Sequence, residues 1–204
     1  MLDVLKIPPA ELFALLAAVG FAAGLNLYAT VAALGLLARF GHLPLPAGLQ
    51  ILQGWPVIIA STALFGIEFF ADKVPAFDLI WNALHTFVRA PVAGLLAWRA
   101  TSQLSPEHQL LAALVGAGVA FVAHSGKTAA RAAVTPSPEP VSNITFSLGE
   151  DIIAVGLTWL ATRHPYVAGA LAITFVVIIV VLARLVIRAM RALFYGAELE
   201  LHRK

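Results

Sequence analysis

Long apolar runs alternate with short polar breaks along the chain, a pattern that predicts helices crossing a lipid bilayer. The first run fills residues 12–39, more than one perpendicular crossing needs. Gly20, Gly24 and Asn26 interrupt its middle, so it is expected to tilt or break. GHLPLPAG at 41–48 reads as an interfacial turn, because its prolines remove backbone donors. Apolar windows follow at 51–70 and at 77–98, the latter polar in its first half. Ser105-Pro106-Glu107 then opens a helix whose Gly/Ala-rich body favours close burial among other helices, until TPSPEP at 135–140 breaks it. The window at 148–160 is short for a crossing unless 142–147 also enters the bilayer, tilted or re-entrant. The run at 165–187, dense in Val and Ile, is the clearest span.

These windows predict an all-α polytopic membrane protein of about six spans, forming a single domain over residues 1–204. The opening MLDVLKIPPAELF carries an acidic residue and two prolines before a run longer than a signal peptide's, and is expected to be a retained span. Six crossings would put both termini on one side. Lys6, Lys73, Arg89, Lys127, Arg131 and the basic C-terminus would share that side, against Arg39, Arg99 and Arg163 opposite. The excess predicts cytoplasmic termini in a bacterial cytoplasmic membrane.

Composition agrees with a lipid setting: 60% of the 204 residues are hydrophobic and 12% charged, against about 25% charged in soluble domains. With no cysteine, disulfides and thiolate chemistry are excluded. The basic residues are dispersed, and no nucleic-acid module accompanies them, so nucleic acid is not an expected partner. Membrane lipids and a small ion or anionic solute are, and a homo-oligomer is compatible with the sequence. No cofactor is expected.

The polar side chains gather in two islands, 72–91 and 124–151. Such groups are costly beside hydrocarbon and are normally turned toward a protein interior, a water-filled cavity or a ligand. In and beside the first, Glu68 and Asp72 share one helical face by their four-residue spacing, as do His85 and Arg89, with Asp78 and Asn82 along the same helix. The second offers His124, Lys127, Arg131, Asn143, Glu150 and Asp151. Carboxylates there suit a cation or a proton, His85 would tune protonation, and Arg89, Lys127 and Arg131 would attract an anionic group. The plainer alternative is a set of interhelical salt bridges.

Several sharper motifs fail. SGKT at 125–128 lacks the earlier P-loop glycine, whose place is taken by Phe121. The acids and histidines show no compact metal-ligand spacing, leaving a metal undefined, and Ser125 beside His124 or Ser147 near Glu150 is what helix capping also produces. No catalytic residue is assigned. The sequon Asn143-Ile144-Thr145 falls on the expected cytoplasmic side and is set aside. A weak internal echo lays HTFVRAPVAGLL (85–96) on SLGEDIIAVGLT (147–158), matching Gly94 with Gly156 and Arg89 with Asp151.

Three stretches, GLNLYATVAALGLLARFG, FFADKVPAFDLIWNALHTFVRAP and HSGKTAARAAVTPSPEPVSN, make the chain resemble the DUF4126 family of membrane proteins of unknown function over about residues 20–160. The resemblance implies a membrane location and supplies no reaction. The expected function is therefore a small transporter or channel whose islands line a cytoplasm-facing cavity. A membrane enzyme acting on a phosphate-bearing lipid, or a non-catalytic assembly factor, would use the same residues differently.

Overall fold

The computed structural model describes residues 8–41, 43, 45–134 and 140–201. They form α1 (Pro9–Leu25), α2 (Leu27–Phe40), α3 (Trp55–Ala71), α4 (Pro75–Ala100), α5 (Pro106–Val134), α6 (Pro140–Arg163) and α7 (Pro165–Leu201), with a 3-10 segment at Ala47–Gln53 before α3. Proline stands in the first turn of every helix except α2, where its fixed φ suits the helix and its missing N–H is not needed. α2 starts instead on Asn26, whose extended backbone (φ −147°, ψ 103°) ends α1 and whose side-chain oxygen accepts from the Ala29 N–H at 2.9 Å.

Packing contacts fix the helix directions. α4 and α5 are antiparallel, since Arg89 meets His124 while Gly94 packs on Ala113 and Ala117. α1 runs with α5, Gly20 lying on Gly116 and Gly24 on Ala120 and Ala123. α2 then turns back. Its Tyr28 bonds to His85 near Asn26, Leu34 lines a small apolar cavity with Leu16 and Val19 of α1 and Ala97 of α4, and Gly35 packs on Leu52 and Ile58. The first apolar run is thus a re-entrant hairpin whose tip, Asn26, is driven into the bundle.

Length and composition alone qualify stretches of α5, α6 and α7 to cross a membrane, and the 3-10 segment with α3, bent by 66°, makes a fourth candidate. α4 has the length, 26 residues, but carries Asp78 and Arg89, which it turns inward, and an exposed Arg99 in its last turn. The window at 148–160 looked short because the polar turns from Pro140 onward also belong to α6. α7 is only 6% buried over its most apolar window, as a helix facing lipid requires. Because the hairpin returns to its own side, α1 begins at the bundle end opposite the one where α7 stops. The expectation of both chain ends on one side does not describe these helices: an apolar run with a break has the same pattern whether it crosses or doubles back. Lys6, residues 135–139 of TPSPEP, His42 and Pro44 lie outside the described residues.

The hairpin is wedged by small residues. A Cβ at Gly24 would stand 2.4 Å from the Ala120 carbonyl oxygen and 2.7 Å from the Ala123 Cβ, so only glycine lets α1 approach α5 this closely. Gly24→Val is expected to destabilise the protein by about 3 kcal/mol, at the upper end of overpacking costs because the obstructing atom is backbone. Thermal unfolding in detergent would show it, with Gly66→Val, where nothing lies within 4 Å, as the silent control.

Candidate functional site: a buried charge network

The break at Asn26 leaves carbonyls at the C-terminus of α1 without helical partners, at the negative end of the helix dipole. Two cations reach them. Arg89 Nη1 donates to Gly24 O at 3.0 Å and Leu25 O at 2.8 Å, and Lys127 Nζ donates to Leu25 O at 3.1 Å. Asn26 Nδ2 donates to Asp151 Oδ1 at 2.8 Å, tying the hairpin tip to α6.

Around this tip the two polar islands close on each other. Arg89 pairs with Glu68 through Nη2, joining α4 to α3. Lys127 on α5 lies 3.0 Å from Asp72 Oδ2, 3.3 Å from Glu150 Oε2 and 3.7 Å from Glu68 Oε1. Arg131, one turn further along α5, forks onto three carboxylates: Asp72 Oδ2 at 3.0 Å, Asp78 Oδ1 at 2.8 Å and Glu150 Oε2 at 2.5 Å. Asn82 Nδ2 donates to Asp78 Oδ1 at 2.6 Å. All these groups are buried, Arg89 and Glu68 completely.

Two histidines flank the network, and their tautomers follow from their partners. His85 has the Trp81 carbonyl 2.7 Å from Nδ1. A carbonyl only accepts, so Nδ1 carries the hydrogen and Nε2 accepts from the Tyr28 hydroxyl at 3.0 Å. His124 Nδ1, 3.0 Å from Arg89 Nη1, accepts. Its Nε2 donates toward the Asn82 carbonyl at 3.2 Å and the Thr86 hydroxyl at 2.9 Å.

Charge does not balance. Among the described residues, five buried carboxylates (Glu68, Asp72, Asp78, Glu150, Asp151) face three buried cations (Arg89, Lys127, Arg131), with Lys73 half-buried at the edge, so acid exceeds base even with Lys73 counted if every acid is ionised. Glu68 Oε2, Asp151 Oδ2, Ser147 Oγ and Asn82 Oδ1 also lack hydrogen-bond partners. Uncompensated charge in a membrane interior is costly, so such a cluster favours uptake of a proton or a small cation. No group of three or more histidine, aspartate or glutamate residues placed to hold a metal ion occurs among the described residues.

Eleven of the residues singled out in the sequence therefore converge: Glu68, Asp72, Asp78, Asn82, His85, Arg89, His124, Lys127, Arg131, Glu150 and Asp151. The side chain of Asn143 lies outside the described residues. Sequence reasoning missed Tyr28, Thr86 and the role of Asn26 and of the carbonyls beside it. An asparagine inside an apolar run, three residues before the backbone N–H it caps, was the available signal. The echo between α4 and α6 gains a spatial sense, for Arg89 and Asp151 both reach the hairpin tip. Its matched glycines differ, Gly94 being tightly packed and Gly156 open.

No curated protein and no solved structure matches the chain. One family model, described as a domain of unknown function, DUF4126, matches residues 13–185. That match takes in the hairpin from Phe13 onward, all four helices that carry the charge network and α7 as far as Leu185, and the chain belongs to the DUF4126 family.

Proposed function

We propose that the protein is a small transporter coupled to protons or another small cation, with the charged end of the bundle facing the cytoplasm. The observation that carries this reading is the re-entrant hairpin, whose broken-helix tip is buried against a cluster with excess negative charge. Broken helices ending near coupling-ion sites are a recurrent transporter construction, because unwound backbone supplies ligands that a continuous helix withholds. A purely structural set of ion pairs needs neither the excess acid nor a helix interrupted beside it. The cytoplasmic assignment is supported by Lys73 and the α7 arginines 184, 188 and 191 at the charged end, against Arg39, Arg99 and Arg163 opposite.

Purified protein in liposomes under an imposed proton or sodium gradient, screened with labelled solutes and a pH-sensitive dye, tests the proposal. Gradient-dependent solute or proton movement, lost in Glu68→Gln while the protein still folds, is the expected result. The reading fails if the liposomes stay tight across the panel and Glu68→Gln alters only thermal stability.

A further inference from the structure

We propose that Asp151 is the proton-binding group of the network and that its bond to Asn26 is the latch through which protonation acts on the hairpin, an inference that rests on the transport reading above. Four of the five buried carboxylates contact a cation: Glu68 meets Arg89, Asp72 meets Lys127 and Arg131, Asp78 meets Arg131, and Glu150 meets Arg131 and Lys127. Asp151 has none within salt-bridge distance among the described residues. Its one hydrogen bond comes from a neutral amide, and its Oδ2 is buried without a partner. Ser147, completely buried one turn earlier on the same face of α6, has an equally unpartnered hydroxyl.

An unpaired carboxylate in this setting is relieved most simply by a proton. One proton from the aqueous side adds to Oδ2, giving a neutral carboxylic acid whose O–H is a donor, and no other bond breaks. The Asn26 amide then donates to a neutral oxygen instead of a carboxylate, and that contact weakens. Because Asn26 both ends α1 and caps α2, the weakened bond is the one that anchors the hairpin tip to α6. The groups around Asp151 set its response. Asn26 faces it from the hairpin, Lys127 from α5, and Glu68, Asp72 and Lys73 act on it from the end of α3 and the following turn, with Glu150 beside it on α6.

Infrared difference spectra between acid and alkaline pH, recorded on the full chain in nanodiscs, test this directly. A protonated-carboxyl band that disappears in Asp151→Asn and is shifted in Asp151→Glu is expected, together with the loss of one proton released per protein on alkalinisation. The proposal is overturned if the band survives unchanged in Asp151→Asn, or if sodium at constant pH, rather than pH, moves it. Should Asp151→Asn not fold, the Asp151→Glu spectrum decides, an unshifted band counting against the assignment. Failure of transport is separately visible. Liposomes that move nothing while the Asp151 band titrates remove the transport reading alone, and flux whose pH dependence is unchanged in Asp151→Asn removes this one alone.

Discussion

Replacing Arg131 with methionine is expected to cause the largest loss of stability of any single substitution in the chain. Its guanidinium is shared by Asp72, Asp78 and Glu150, which come from the C-cap of α3, from α4 and from α6, so one side chain neutralises acids on three segments. Breaking one buried ion pair from one side typically costs about 3–5 kcal/mol, because the remaining partner keeps its desolvation penalty without its attraction. Here three carboxylates are left, and the effect belongs at or above the top of that range. Arg131→Lys should recover only a minor part, since an ammonium is a point charge and cannot reproduce a planar fork that engages three acids at once. Thermal unfolding and monodispersity in detergent would check both variants. A methionine variant as stable as wild type would mean that the network does not hold the helices together.

The second large effect separates structure from activity at the inner end of the network. Arg89→Met and Glu68→Met should each destabilise by about 3–5 kcal/mol, as each strands a fully buried charge. The double variant should recover most of that loss, because removing both ions together abolishes the desolvation penalty. Recovery will be incomplete. Arg89 also donates to the Gly24 and Leu25 carbonyls, and leaving buried acceptors unsatisfied costs about 1–3 kcal/mol each. A double variant that is stable but inert in liposomes would assign the pair a role in transport beyond scaffolding. Undiminished flux would confine it to scaffolding.

Much of this architecture was legible from the residues. The polar islands flagged Glu68, Asp72, Arg89, Lys127 and Arg131 as one set, since charge in hydrocarbon-length helices has few other places to go, and these residues do meet. The reversal at Asn26 was not legible. α1 is apolar on every side, so no amphipathic stripe records which neighbours it packs against, and Gly24 advertises close approach without naming α5 as the partner. α6 was read short for the converse reason: its first turns are polar, and hydropathy cannot distinguish a polar helical turn from a loop. Backbone carbonyls at the hairpin tip leave no trace in side-chain chemistry, although they share the two innermost cations with the acids.

α7 also serves as a ruler along the network. It runs alongside α5 in the same direction, and Gly126 rests on Ile179. Five residues beyond each contact point, about 7 Å further along both helices, stand Arg131 on α5 and Arg184 on α7, where the lipid-facing helix gains its first arginine. Arg131 therefore stands level with Arg184, while Lys127 lies about one turn further from that charged end and reaches the Leu25 carbonyl at the hairpin tip. The network thus descends in steps from Arg131 to the hairpin tip, where the paired Glu68 and Arg89 and the cation-free Asp151 lie side by side at its inner end.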